Sequence, residues 1–368
     1  MMKVLLIFGT RPEAIKMCPL IKEMKKHPEI CSKVCLTGQH RDMLDQVMEQ
    51  FEITADYDLN LMKAGQTLSD ITIGVLKGID EILIAEEFDI VLVHGDTTTS
   101  FAASLAAFYR KVPVGHVEAG LRTYDLYSPY PEEFNRQAVD LLTKFYFAPT
   151  ELSKKNLINE GKSEKDVYVT GNTVIDALHT TITDSYNNDN LQWASDSRMI
   201  LVTAHRRENI GQPMENMFSA IRQIADDNSD VKIIYPIHKN PAVRDIANMY
   251  LSNHERIRMI EPLDVLDFHN FLKHSFLILT DSGGIQEEAP ALGKPVLVMR
   301  DTTERPEGVD AGTLKLVGTT YKKIYDETSK LLNDRNMYIE MSNAVNPYGD
   351  GHASERIVKI LCDYFECK

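Results

Sequence analysis

Residues 90–115 read IVLVHGDTTTSFAASLAAFYRKVPVG. Ile90–Val93 is apolar throughout, which predicts a strand buried on both faces. The turn His94-Gly95-Asp96-Thr97 follows it. Thr99–Arg110 then predicts a helix, and Val112–Gly115 a second buried strand. Strand, turn, helix and strand in this order make a parallel sheet with helices packed on its faces.

The same unit recurs on both sides of this stretch. Short apolar runs occur at Val4–Phe8, Val34–Leu36, Phe145–Ala148 and Val167–Val169. A second series follows at Met199–Thr203, Lys232–Tyr235, Ile257–Ile260, Phe276–Thr280, Val296–Met299 and Leu314–Val317. Between them lie helical segments such as Pro12–Lys26, Met214–Asp226 and Ile285–Leu292. The expected fold is α/β, with two Rossmann-like domains facing across a cleft. The boundary is placed at about 170, where Gly171-Asn172 follows a strand and opens a helix. The domains are then 1–170 and 171–353, and a C-terminal helix, 354–368, is expected to pack back on the first.

Composition narrows the function classes. The 368 residues carry a formal net charge of −14, which argues against a nucleic-acid binder working through its overall field. No apolar stretch approaches the ~18 residues of a membrane span. Met1-Met2-Lys3 with Val4–Phe8 is too short an apolar run for a signal peptide. The cysteines are Cys18, Cys31, Cys35, Cys362 and Cys367, odd in number and without a C-x-x-C pair. They predict reduced thiols in a cytoplasmic enzyme rather than a disulfide frame or a zinc site. The dinucleotide fingerprint and the P-loop are both missing, which weakens a bound nicotinamide or a triphosphate site. No metal-ligand spacing stands out, so neither metal nor cofactor is expected, although Mg²⁺ riding on substrate phosphates would need no dedicated cage.

Two strand-to-helix junctions look built for anions. In Phe8-Gly9-Thr10-Arg11-Pro12-Glu13-Ala14-Ile15-Lys16, Gly9 permits a tight turn and Pro12 suits a helix start. Arg11 and Lys16 would lie by the positive end of that helix, where N–H groups are expected free; a solvated charged turn is the alternative. In Asp281-Ser282-Gly283-Gly284-Ile285-Gln286-Glu287-Glu288, Ser282 is expected to cap the helix while Gly283 and Gly284 admit a pyrophosphate. Glu288 lies deeper, at a position suited to sugar hydroxyls, and Arg305 could join the same anion. A merely capped helix is the alternative there.

Ligands of open α/β sheets bind beyond the carboxyl ends of the strands. Asp96, Glu118 and His205 sit at such ends, and Glu132 opens a helix after Pro131. Each has an ordinary reading: Asp96 a helix cap, Glu118 a structural acid paired with Arg122, Glu132 a first-turn acid favoured by the dipole, His205 a loop histidine. Four such groups converging argue for a site.

These motifs, with His116-Val117-Glu118-Ala119-Gly120-Leu121-Arg122, Pro131-Glu132-Glu133-Phe134-Asn135-Arg136 and His205-Arg206-Arg207-Glu208, occur in a fixed order along nearly the whole chain. Together they closely resemble the non-hydrolysing bacterial UDP-N-acetylglucosamine 2-epimerases. The resemblance implies a glycosyltransferase-B type fold, a homodimer, a UDP-sugar substrate and a product used in surface polysaccharide synthesis. It implies catalytic roles for Asp96, Glu118, Glu132 and His205. It implies diphosphate contacts from Arg11, His205, Ser282, Gly283 and Gly284 with Arg305 nearby, and a basic Lys16 near the reacting centre. Glu288 matches the ribose ligand and Phe268 the aromatic on uracil. Gln39, His40, Gln66, Arg206 and His238 match a region where a second substrate molecule activates some members, whereas Gly65 departs from the arginine of strongly regulated ones.

The chemistry fits these groups. Carbon 2 of the sugar has no adjacent carbonyl to acidify its hydrogen. Removing that proton while expelling UDP from carbon 1 leaves 2-acetamidoglucal, and re-addition to the other face completes the inversion. Carboxylates with raised pKa values are expected to carry the protons, and cations to hold the departing diphosphate. A hydrolysing relative, which releases UDP and N-acetylmannosamine, is the nearest rival; a retaining glycosyltransferase, a nucleotide-sugar sensor and a different UDP-2-acetamido sugar are further ones.

Overall fold

The computed structural model describes residues 1–38, 41–63 and 65–367. They form two compact units, Met1–Thr180 with Tyr348–Lys368, and Thr181–Pro347. In chain order the first unit holds β1 (Met2–Phe8), α1 (Arg11–Met24), β2 (Ile30–Leu36), α2 (Arg41–Gln50), β3 (Tyr57–Asp58), α3 (Leu68–Ala85), β4 (Ile90–His94) and α4 (Thr98–Tyr109). It continues with β5 (Val114–Val117), α5 (Glu132–Leu142), β6 (Phe145–Ala148), α6 (Glu151–Asn159), β7 (Val167–Val169) and α7 (Thr173–Thr181). The second unit runs α8 (Asp189–Ala194), β8 (Arg198–Thr203), α9 (Gln212–Asp227), β9 (Val231–Pro236), α10 (Pro241–Leu251), β10 (Ile257–Ile260) and α11 (Val265–His274). It ends with β11 (Leu277–Thr280), α12 (Ile285–Ala291), β12 (Val296–Val298), α13 (Pro306–Asp310), β13 (Leu314–Leu316), α14 (Tyr321–Asn333) and α15 (Arg335–Asn343); α16 (Ala353–Tyr364) returns to the first unit.

Both sheets are parallel throughout, in the orders β3-β2-β1-β4-β5-β6-β7 and β10-β9-β8-β11-β12-β13. The unbroken apolar runs explain this. Val4 to Phe8 and Ile90 to Val93 are fully buried, as strands covered by helices on two faces must be. In the first sheet the order turns back between β1 and β4, and in the second between β8 and β11. In each unit by itself, the loops beyond the carboxyl ends of that pair carry candidate site residues. Arg11 and Asp96 follow β1 and β4; His205 and Ser282 follow β8 and β11.

Two boundaries differ from expectation. The first unit extends to Thr180, ten residues past the expected division, and the chain re-enters it at Tyr348. The N–H of Asn172 donates to the Tyr348 carbonyl (2.7 Å), and Asp176 on α7 accepts from Ala353 N and Ser354 N (3.2 and 2.7 Å). Gly171 and Gly349 make this crossing possible: both have positive φ, and a Cβ on either would meet the other's Cα at 3.2–3.3 Å. Farther along, α16 packs on α1, with Tyr364 edge-on to Phe145. The other change is in β5, which starts two residues later than Val112 because Pro113 offers no N–H to the ladder. His116 therefore lies inside the strand, and Glu118 is the first residue beyond it.

Candidate active site

The loop after β1 already holds an anion of its own. Glu13, buried in α1, accepts from the N–H of Gly9 (2.9 Å) and of Thr10 (2.8 Å) and from the Thr10 hydroxyl. These N–H groups, expected free for a phosphate, are occupied by a side chain. The other Glu13 oxygen accepts from Thr97 Oγ1 (2.6 Å) and Ser100 Oγ (3.2 Å). One carboxylate thus ties the loop bearing Arg11 to the loop bearing Asp96. Gly9 is obligatory there, since a Cβ would meet Thr37 Oγ1 at 2.0 Å.

Asp96 does not cap α4; Thr97 does, accepting from Ser100 N. The Asp96 carboxylate instead takes a 2.6 Å hydrogen bond from Arg136 on α5, and Asn135 donates to its carbonyl. The preceding Gly95 carbonyl lies 2.8 Å from His116 Nε2, whose Nδ1 lies 2.7 Å from Asp140. Asp140 also accepts from Arg122, which further pairs with Glu160. Burial would raise the Asp140 carboxyl; His116 and Arg122 outweigh it and hold the group below its ordinary value. Arg122 is therefore committed to Asp140 and Glu160, and the alternative pairing with Glu118 is not formed.

Glu118 pairs with Lys16 on α1, whose ammonium donates to both carboxylate oxygens at 2.8 and 2.6 Å. His94 Nε2 lies 2.7 Å from Glu118 Oε2, and Asn172 Nδ2 3.4 Å from Oε1. The β4–β5 register places His94 opposite Val117, so the residue after each strand end is brought alongside. Glu118 adopts φ +67, a left-handed conformation that costs a non-glycine residue about 1–2 kcal/mol. Burial would raise its carboxyl, but Lys16 and His94 outweigh burial and hold it well below the usual carboxylate range. This reverses the expected direction for Glu118: the group is held as an unprotonated carboxylate, at the expense of its basicity. Of the next two acids, Glu133 is fully buried and accepts from Thr123 N, Tyr124 N and Gln137, fixing the preceding loop. Glu132 stands at the first position of α5 and is only half-buried.

The second unit repeats the device. Asp281, fully buried after β11, accepts from His205 N (3.0 Å), Arg206 N (2.9 Å) and Asn209 Nδ2 (3.1 Å). His205 Nδ1 lies 3.6 Å from Asp281 Oδ1, and its ring stacks on His238 with centroids 5.3 Å apart. Burial and the neighbouring His205 push the His238 pKa down. Gly283 sits against two guanidinium groups: a Cβ there would come within 3.6 Å of Arg206 Nη2 and 3.8 Å of Arg305 Cζ. Arg305 Nε donates to Glu287 (2.8 Å). Ser282 does not cap α12, which Gly284 precedes; its N–H goes to Thr280 Oγ1, and its carbonyl accepts from Gln286. Glu288 lies in the first turn of α12, 3.7 Å from the buried His269. Phe268 on α11 packs half-buried against the adjoining core. In the first unit, Gln66 accepts from Lys63 N and donates to the Leu61 carbonyl in its own loop. Gln39 and His40 lie outside the described residues.

Sequence reasoning missed four residues that organise these groups: Glu13, His94, Arg136 and Asp281. All lie inside the quoted motifs, where burial and partners, invisible in a string of letters, set their roles.

Two parallel α/β units, each gathering acids and cations where its strand order turns back, define a nucleotide-sugar enzyme fold of the glycosyltransferase-B kind. A family model described as UDP-N-acetylglucosamine 2-epimerase matches residues 22–362. The chain is 57% identical to the UDP-N-acetylglucosamine 2-epimerase of Bacillus subtilis over 364 residues, covering 99% of this chain and 96% of that one. A solved structure from Listeria monocytogenes is similar at a TM-score of 0.96, with 54% identity over 99% of this chain and 97% of that one. A UDP-GlcNAc 2-epimerase from Neisseria meningitidis, solved bound to UDP-GlcNAc, gives 0.89 and 51% over 98% and 100%. The chain belongs to the UDP-N-acetylglucosamine 2-epimerase family.

Proposed function

We propose that this chain reversibly inverts carbon 2 of UDP-N-acetylglucosamine, giving UDP-N-acetylmannosamine, without net hydrolysis. The observation that carries this reading is Glu118, a buried carboxylate kept anionic by Lys16 and His94 at the end of a strand. In the forward direction the carbon 2 proton passes to a carboxylate of the set Asp96, Glu118 and Glu132. The C1–O bond breaks with its electron pair leaving on UDP, and a C1=C2 double bond forms. UDP then adds back at carbon 1 as a proton returns to the opposite face of carbon 2. His205, Arg305 and the 282–284 backbone are assigned to the diphosphate, Glu288 to the ribose and Phe268 to the uracil. The relative solved with UDP-GlcNAc supports this substrate class.

In D₂O the enzyme is expected to place deuterium at carbon 2 of both sugars while free UDP stays far below UDP-sugar at equilibrium. Mass spectrometry and nucleotide chromatography read the two quantities. Isomerisation with protium retained at carbon 2 refutes the mechanism, and stoichiometric free UDP favours the hydrolysing reading.

The active form is assigned as a homodimer. Ile73 on α3 and Phe108 and Tyr109 at the end of α4 expose apolar surface on neighbouring helices, the kind of patch that a second copy covers. Sedimentation should give twice the chain mass, and Ile73→Glu should shift it toward one chain mass; an unmodified protein sedimenting as a monomer refutes the assignment.

A further inference from the structure

Away from the residues assigned above, the turn after α1 meets the end of α16. His27 closes the turn and Glu29 precedes β2, with His27 Nδ1 3.2 Å from Glu29 Oε1. Cys362 lies in the last turns of α16, and its ligand atom, with those of His27 and Glu29, falls within a group whose members are all within 4.8 Å of one another. The Cys367 N–H donates to the Cys362 carbonyl (3.0 Å), turning the chain end back. One imidazole, one carboxylate and one sulfur therefore converge on a single half-buried corner.

We propose that His27, Glu29 and Cys362 form a zinc site, its fourth position left to water, that clasps the chain's last helix to the α1–β2 turn. Nitrogen, oxygen and sulfur together suit Zn²⁺, whereas Mg²⁺ and Ca²⁺ prefer oxygen alone. Zn–S of about 2.3 Å with Zn–N and Zn–O of about 2.0–2.2 Å place tetrahedral ligand atoms about 3.3–3.7 Å apart. The present spacing needs only a small contraction, which the side chains of a helix end can supply. Spacing alone set zinc aside in the sequence; His27 and Glu29, more than 330 residues earlier, complete the donor set only in the fold. Zinc displaces the thiol proton of Cys362 when it binds.

The test uses the full chain, reduced and stripped with a chelator, titrated with Zn²⁺ against a chromogenic zinc indicator. One zinc per chain with Kd below about 1 µM is expected. Zinc at a hundredfold excess over Kd should raise the melting temperature by about 5 °C. Cys362→Ser should weaken binding at least about a hundredfold, and His27→Gln, on the other element, at least about tenfold. Turnover of the stripped chain should be unchanged, since none of these residues serves the reaction. Absent saturable uptake, or equal affinity in Cys362→Ser, overturns the proposal.

Discussion

Glu118→Gln is expected to lower turnover about a thousandfold, the scale on which a positioned acid–base group acts. The amide preserves shape and can still hydrogen-bond, but it cannot take a proton from carbon 2. The melting temperature should change far less than the rate, which separates lost chemistry from lost folding. Its partner supplies the sign check. Glu118 lies below its ordinary value because Lys16 and His94 outweigh burial. Lys16→Met removes the largest of the lowering influences, so the carboxyl stays protonated to a higher pH. The acid limb of the kcat/KM profile should therefore move upward by at least about one pH unit. Near-normal turnover in Glu118→Gln removes that residue from the reaction; an unmoved acid limb in Lys16→Met removes the ion pair as the cause of its acidity.

Glu13→Ala is expected to damage both stability and rate. Its carboxylate accepts from two backbone N–H groups and three hydroxyls, at Gly9, Thr10, Thr97 and Ser100. Hydrogen bonds to a charged group contribute about 1.5–3 kcal/mol each, and they are not additive here because the loops can relax or admit water. A loss of about 3–5 kcal/mol follows, or roughly 10 °C in the melting of a unit this size. Turnover should fall as well, because the loops carrying Arg11 and Asp96 are joined through this one side chain. Glu13→Gln keeps an acceptor but turns an NH₂ toward donors, so it should fall between the two. Calorimetry with initial rates checks the order; wild-type melting in Glu13→Ala shows that the loops hold themselves.

Much of the scaffold was legible in the residue string. Runs such as Val4–Phe8 and Phe145–Ala148 are apolar at every position, and helices covering both faces of a parallel sheet require that pattern locally. The motif positions were legible too, because turns at strand ends need small and capping residues whatever the rest of the chain does. The junctions were less so. Ser282 looks like a cap, yet Thr280 takes its N–H and the helix opens three residues later. Gly9 and Thr10 look like a phosphate nest until Glu13 is seen filling it.

By itself the chain's order of residues determined two parallel α/β units and which acids and cations stand beyond their strands. Periodicity and turn chemistry are properties of neighbours, so they survive in one dimension. Only the tertiary structure decided that Lys16 meets Glu118 across 102 positions, that Arg122 belongs to Asp140, and that the first unit reaches Thr180 and reclaims the chain at Tyr348. Those outcomes rest on strand register and on the competition between burial and nearby charge, which exist only once distant segments are packed together.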